Sequence, residues 1–162
     1  MEKSADEIVN TLKEEITAFA MDENFLALGT NLGYKIYSMV PIKLIKIKDL
    51  GGCIGEIGFY NSDKIIWYVG GGSSPAAPDN ELRLWNNHKD EQLLKIVLEK
   101  GIKKVLTKPG KILISLINKV YLYNVPITSD VIKFDTVDNF YGTIAMSQNE
   151  DTNLMAFLGT EI

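Results

Sequence analysis

His88, Cys53, the run Gly70–Gly72 and the aspartates Asp130, Asp135 and Asp138 are the residues here whose types invite a chemical role. A lone histidine works as a general base only with a nucleophile and an orienting carboxylate at recognisable spacing. His88 stands in the polar stretch Asn86 to Asp90 without that company. Zinc asks for several Cys or His ligands, and the chain holds one of each. The glycine run lacks both the Gly-Lys-Ser/Thr ending and the following helix of a phosphate-binding loop. Gly51 to Gly58 does not complete a dinucleotide fingerprint, and the aspartates have no calcium-loop spacing. Cys53, next to Gly52, reads as a small buried hydrophobe. No catalytic residue, no cofactor and no metal is therefore expected, and the chain is read as a binding protein rather than an enzyme.

The charge pattern narrows the kind of binding. The formal net charge is −4, and Arg83 is the sole arginine among 17 basic residues. Bidentate grips on phosphate usually rely on arginine, and no basic stripe with interleaved aromatics marks a nucleic-acid binder. Lys43, Lys46 and Lys48 alternate with apolar residues, as a solvated strand face does, and Lys103 and Lys104 read likewise. Every apolar run is broken by Lys, Asp, Glu or Asn before it reaches the ~20 residues of a membrane-spanning helix. One cysteine cannot form an internal disulfide, and a cytoplasmic setting fits.

The elements that must carry any binding residues are short strands in a repeating order. Phe25 to Thr30 turns at Asn31 to Gly33 into Tyr34 to Met39. Lys64 to Gly71 leads through a longer loop to Glu81 to Trp85. Lys111 to Leu116 turns at Ile117 and Asn118 into Lys119 to Tyr123, and a fourth copy begins at Asn153 to Gly159. Tyr37, Trp85 and Tyr123 close equivalent strands at intervals of about forty residues, the period of propeller blades. Between the pairs, Ile42 to Ile47 predicts an outer strand and Ile54 to Phe59 an inner one. Leu93 to Leu98 with Ile102 to Leu106, and Val131 to Phe134 with Tyr141 to Met146, repeat that arrangement. The fold class is all-β: a partial β-propeller of about three four-stranded WD40-like blades plus the start of a fourth. Residues 1–15 form a leader, disordered or a short helix capped near Ser4, and residues 16–162 carry the blades. Three blades do not close a ring, so the expectation is a piece of a longer protein. The alternative is a chain whose exposed edges, near Phe19 and Phe157, pair with a second copy as a homodimer.

The order of these motifs resembles the autophagy-related, phosphoinositide-binding propellers of the PROPPIN family, whose human members are the WIPI proteins. The resemblance covers nearly the whole chain after about residue 16. Asn24 to Thr30 with Gly33 to Tyr37 looks like that family's opening blade. Trp67 to Gly72, a proline loop and Asn80 to Trp85 look like its second. Lys119 to Asn124 resembles the third, and Asn153 to Thr160 the start of the fourth. The glycine run before the proline loop points toward the branch of the third and fourth human members.

The resemblance implies a parent that binds phosphatidylinositol 3-phosphate and 3,5-bisphosphate membranes, peripherally, on autophagic or endosomal surfaces. In the family an Arg-Arg-Gly motif of a later blade grips the headgroups, and no Arg-Arg pair occurs in this sequence. Loops of the second and third blades recruit partners in the family, notably a lipid-transfer protein of the autophagy machinery. The matching residues here are Ser73, Ser74, Pro75, Pro78, Asp79 and Asn80, with Pro109 as a neighbouring contact. Family members often carry a basic residue near the end of that loop, where this chain has Asp79 and Glu81. The alternative reading is a stand-alone, self-associating WD-repeat interaction module unrelated to autophagy.

Overall fold

Residues 13–60, 62–127, 130–149 and 151–160 are described in the computed structural model, and all regular structure among them is strand. The helix expected near Ser4 lies outside the described residues. The first sheet contains β1 (Ile16–Met21), β2 (Phe25–Thr30), β3 (Gly33–Met39) and β4 (Ile42–Asp49). The second contains β5 (Ile54–Phe59), β6 (Ile65–Gly70), β7 (Glu81–Asn86) and β8 (Glu91–Val97). The third contains β9 (Lys104–Lys108), β10 (Lys111–Ser115), β11 (Lys119–Asn124) and β12 (Ile132–Asp135), and β13 (Ile144–Met146) pairs with β14 (Met155–Phe157). Each four-stranded sheet is an antiparallel meander in which neighbours in sequence are neighbours in space. These are three propeller blades and the opening hairpin of a fourth.

Alternation along each strand makes the stack possible. Successive side chains of a strand point to opposite faces, so an interior blade must be apolar on both. In β6, Ile66 and Tyr68 join Tyr34 and Ile36 in a core between the first two blades. Trp67 and Val69 face the other way, into a core shared with Val105, Ile112, Ile114 and Tyr121 of the third blade. A third core places Leu113, Val120 and Leu122 against Met146, Met155 and Phe157. Leu26↔Tyr37, Ile66↔Trp85 and Ile112↔Tyr123 are cross-strand pairs at the same register in three blades. The recurring aromatics are thus equivalent positions: Trp85 and Tyr123 pack against the inter-blade cores, while Tyr37 is half-buried.

Inner strands approach one another. Thr17 Oγ1 donates to the Ile54 carbonyl at 2.6 Å, joining β1 to β5. Lys104 Nζ on β9 lies 3.4 Å from Glu56 on β5, whose carboxyl burial pushes above the ordinary range despite that cation. Gly58 has a steric reason: a Cβ there would stand 2.3 Å from the Trp67 ring. Of the two expected edges, Phe19 is 73% exposed, whereas Phe157 packs on Phe134 with ring centroids 4.9 Å apart.

Farther out, polar side chains tie blade to blade. The buried Tyr34 hydroxyl donates to Asn87 Oδ1 at 2.8 Å, and Asn87 Nδ2 donates to the Asp63 carbonyl at 2.6 Å. Lys48 reaches Asp90 at 3.0 Å and lies 4.5 Å over the Trp85 ring. Trp85 Nε1 donates to the same carboxylate at 3.2 Å. Lys46 and Lys48, expected on a solvated face, thus clasp the next blade. Between the second and third blades, Trp67 Nε1 donates to Thr107 Oγ1 at 3.3 Å, and Thr107 donates to the Phe59 carbonyl at 2.8 Å.

Tyr34→Phe leaves Asn87 Oδ1 without its buried donor and should cost about 1–3 kcal/mol. Chemical denaturation of the variant, read at the tryptophans, checks it: an unchanged midpoint would show that this hydroxyl carries none of the blade-to-blade stability.

Candidate functional site

The loop from Gly71 to Asn80 joins β6 to β7 and folds back onto the turn that enters β5. Its anchors are main-chain groups. Cys53 N donates to the Ser74 carbonyl at 2.7 Å, and the Cys53 carbonyl accepts from Gly71 N at 3.2 Å and Ala76 N at 2.9 Å. Cys53 and Pro75 form a parallel bridge. Ala77 is 4% exposed and seats the loop in the core between the first two blades.

That seat explains the glycines. A Cβ on Gly70 would stand 1.7 Å from the Ala77 carbonyl oxygen, and one on Gly71 would stand 2.5 Å from Gly55 Cα. Gly72 has φ +72°, in the region where other residues are strained. Gly52 is part of the seat too, since its Cβ would come within 2.7 Å of Ala76 N. The run therefore admits a returning loop. Cys53 takes part through its backbone, which no local pattern announces.

The predicted contact residues divide into two groups. Ser73, Ser74, Pro75 and Pro78 are exposed along the loop. Asp79 and Asn80 also fasten the next connection: Ile102 N donates to the Asp79 carbonyl at 2.8 Å, and Asn80 Nδ2 donates to the Leu98 carbonyl at 2.7 Å. Asp79 keeps an exposed side chain beside Gly101. Glu81 lies 2.7 Å from Arg83 and 3.8 Å from Lys95, with its side chain 13% exposed. Of the expected acidic pair, Asp79 alone is displayed without a countercharge within ion-pair distance among the described residues.

Pro109 is exposed but lies elsewhere. Pairing of β5 with β6 sets Ile54 beside Gly70 and Phe59 beside Ile66, so the proline loop sits at the Ile54 end of the sheet. The Pro109–Gly110 turn is at the other end, where Gly110 N donates to the Tyr60 hydroxyl at 3.1 Å. The two do not share a rim.

One charged cluster that sequence reasoning missed follows directly on Leu98, whose carbonyl Asn80 holds. The Tyr121 hydroxyl donates to the Glu99 carboxylate, lying 2.6 and 2.7 Å from its two oxygens. Lys119 Nζ is 3.1 Å away. The hydroxyl's hydrogen bond, above all, holds Glu99 down at about 2. On the outer side, His88 Nε2 lies 3.7 Å from Asp63 Oδ2, with 58% of the imidazole side chain exposed. Among the described residues no group of three His, Cys, Asp or Glu is placed to hold a metal ion, and no helix is long and apolar enough to cross a membrane.

No family model matches the chain. It is 28% identical over 148 residues to SVP1-like protein 2 of Pichia angusta, covering 90% of this chain and 41% of that protein. It is 26% identical over 132 residues to autophagy-related protein 18 of Candida glabrata, covering 82% of this chain and 26% of the other. This chain thus spans less than half the length of these relatives. Among solved structures, Kluyveromyces marxianus Hsv2 superposes with a TM-score of 0.62 at 16% identity, over 75% of this chain and 38% of that one. The complex of KlAtg21 with the coiled-coil of AgAtg16 matches with a TM-score of 0.57 at 14% identity, over 75% and 39% of the two chains.

Gly70→Ala should unseat the loop. Amide exchange at Ala76 and Cys53 should accelerate by roughly tenfold or more while amides of β10 and β11 keep their protection; uniform protection would refute the steric account. Tyr121→Phe should let Glu99 climb from about 2 toward its ordinary 4.5. A depressed carboxylate adds stability that is complete above its unfolded value and is lost as pH falls through the folded one. The variant should therefore lose less stability than the parent between about pH 4.5 and 2, as carboxyl NMR titration paired with acid unfolding will read.

Proposed function

As a chain homologous to the PROPPIN family of autophagy-related β-propellers, this protein is, we propose, a non-enzymatic scaffold that recruits a partner protein during autophagosome formation. Residues 16–162 are the N-terminal blades of a seven-bladed propeller, and the glycine run with its proline loop supports the branch of the third and fourth human WIPI proteins. Docking is assigned to the exposed tip Ser73, Ser74, Pro75 and Pro78, flanked by Asp79. The partner is a lipid-transfer protein of the autophagy machinery. The observation that carries this reading is the stitched loop: a tip already ordered by main-chain bonds loses little entropy on binding. KlAtg21, which shares this fold, has been solved in complex with the coiled-coil of AgAtg16, and that supports a protein as the partner. Specific recognition of phosphatidylinositol 3-phosphate or 3,5-bisphosphate is assigned to blades outside this sequence, which contains no Arg-Arg pair. The site of action is the cytoplasm and the surface of autophagic membranes.

A specific observation favours a second reading, self-association. Phe19, Met21 and Ile42 are 73%, 64% and 76% exposed on the first blade, an apolar surface that a second copy would cover.

Replacing Ser73–Pro78 by a Gly-Ser linker should weaken capture of the lipid-transfer partner by roughly a hundredfold, as loss of a hot spot does. Vesicles carrying phosphatidylinositol 3-phosphate should bind no better than vesicles without it. Titration calorimetry and vesicle flotation read the two. Undiminished capture by the linker variant would remove the loop from the function, and a concentration-dependent dimer in sedimentation would promote self-association instead.

A further inference from the structure

Ser74 is the one serine or threonine in the chain that precedes a proline. The hydroxyls of Ser38, Ser115 and Ser147 donate to backbone carbonyls. Ser74, by contrast, is bonded through its carbonyl, and its exposed hydroxyl has no hydrogen-bond partner among the described residues. Ser74 stands in a bend just before the Cys53–Pro75 bridge, and its X-Pro bond is trans. A free hydroxyl on an exposed Ser-Pro step is the motif that a proline-directed serine kinase modifies.

We propose that Ser74 is a phosphorylation site for a proline-directed kinase, and that the phosphate switches the docking loop off. In the transfer, Ser74 Oγ attacks the γ-phosphorus of ATP held by the kinase. The new Oγ–P bond forms as the bond from phosphorus to the β,γ-bridging oxygen breaks. ADP leaves with that electron pair, and the hydroxyl proton passes to the kinase's base. The loop keeps its seat, because its anchors are the backbone of Cys53 and the side chain of Ala77 rather than the serine hydroxyl. What changes is the tip. Ser73 to Pro78 carries no charge, and a phosphate adds about −1.5 to −2 at pH 7. Close to Asp79, that charge must be desolvated by any partner that covers the tip.

The regulatory half rests on the docking reading, while the modification itself does not. The test incubates the full chain, natively folded, with a proline-directed kinase and ATP, and maps the phosphopeptides. One phosphate on Ser74 is expected, abolished by Ser74→Ala and by Pro75→Ala but retained in Ser73→Ala. Native chain and a free peptide of residues 70–81 should be modified at comparable rates. Modification of the peptide but not of the folded chain, or phosphate on Ser73 or Ser62 instead, overturns the site. The phosphorylated and unmodified chains are then titrated with the lipid-transfer partner, where roughly tenfold weaker binding is expected. Equal affinities overturn the switch; absence of binding by the unmodified chain overturns the docking reading and leaves the mapped site standing.

Discussion

The middle strand of an interior blade has no solvent face. Every residue of β6 from Ile66 to Val69 is buried, yet alternate residues serve two different cores, Ile66 and Tyr68 on one side and Trp67 and Val69 on the other. This double burial accounts for the uninterrupted apolar runs in the middle strands and for the Lys- and Glu-containing strands at the outside. It also sets how one blade recognises the next, because each core belongs to two sheets and to neither alone.

Hydrophobic cores of this kind specify that blades stack but say little about register between them. Polar contacts supply that. Tyr34 with Asn87, Lys48 with Asp90 and the Trp85 ring, and Thr107 with Trp67 and Phe59 are each formed across a blade boundary. Lys108 does the same for the last hairpin: it is 4% exposed, and its ammonium donates to the carbonyls of Asn149 and Thr152 at 3.1 and 2.6 Å. Energetics built from nearest-neighbour interfaces is the general property of repeat architectures.

Much of this was legible in the residues because strand runs and turns are local signals. The inner strand expected at Ile54 to Phe59 ends where expected, and the equivalence of Tyr37, Trp85 and Tyr123 appears as a shared register. Hairpin ends were less legible: β7 runs to Asn86 and β8 starts at Glu91, polar residues drawn into the ladder by pairing with each other. What local pattern could not convey was which charges meet across blades. Lys46 and Lys48 look solvated until Asp90 is brought to them, and Glu81 looks displayed until Arg83 and Lys95 cover it. The position of Pro109 depended on counting strand reversals, which places its turn at the end of the sheet opposite the proline loop.

The way the proline loop is fastened separates its position from its identity. Its seat consists of peptide groups at Cys53, Gly71, Ser74 and Ala76, one buried methyl at Ala77 and the empty space left by glycines. Nothing in that arrangement reads the side chains of Ser73, Ser74 or Pro78. The tip is therefore free to drift through mutation while the frame beneath it stands still. Lineages built on these blades can rewrite that tip without renegotiating how they fold.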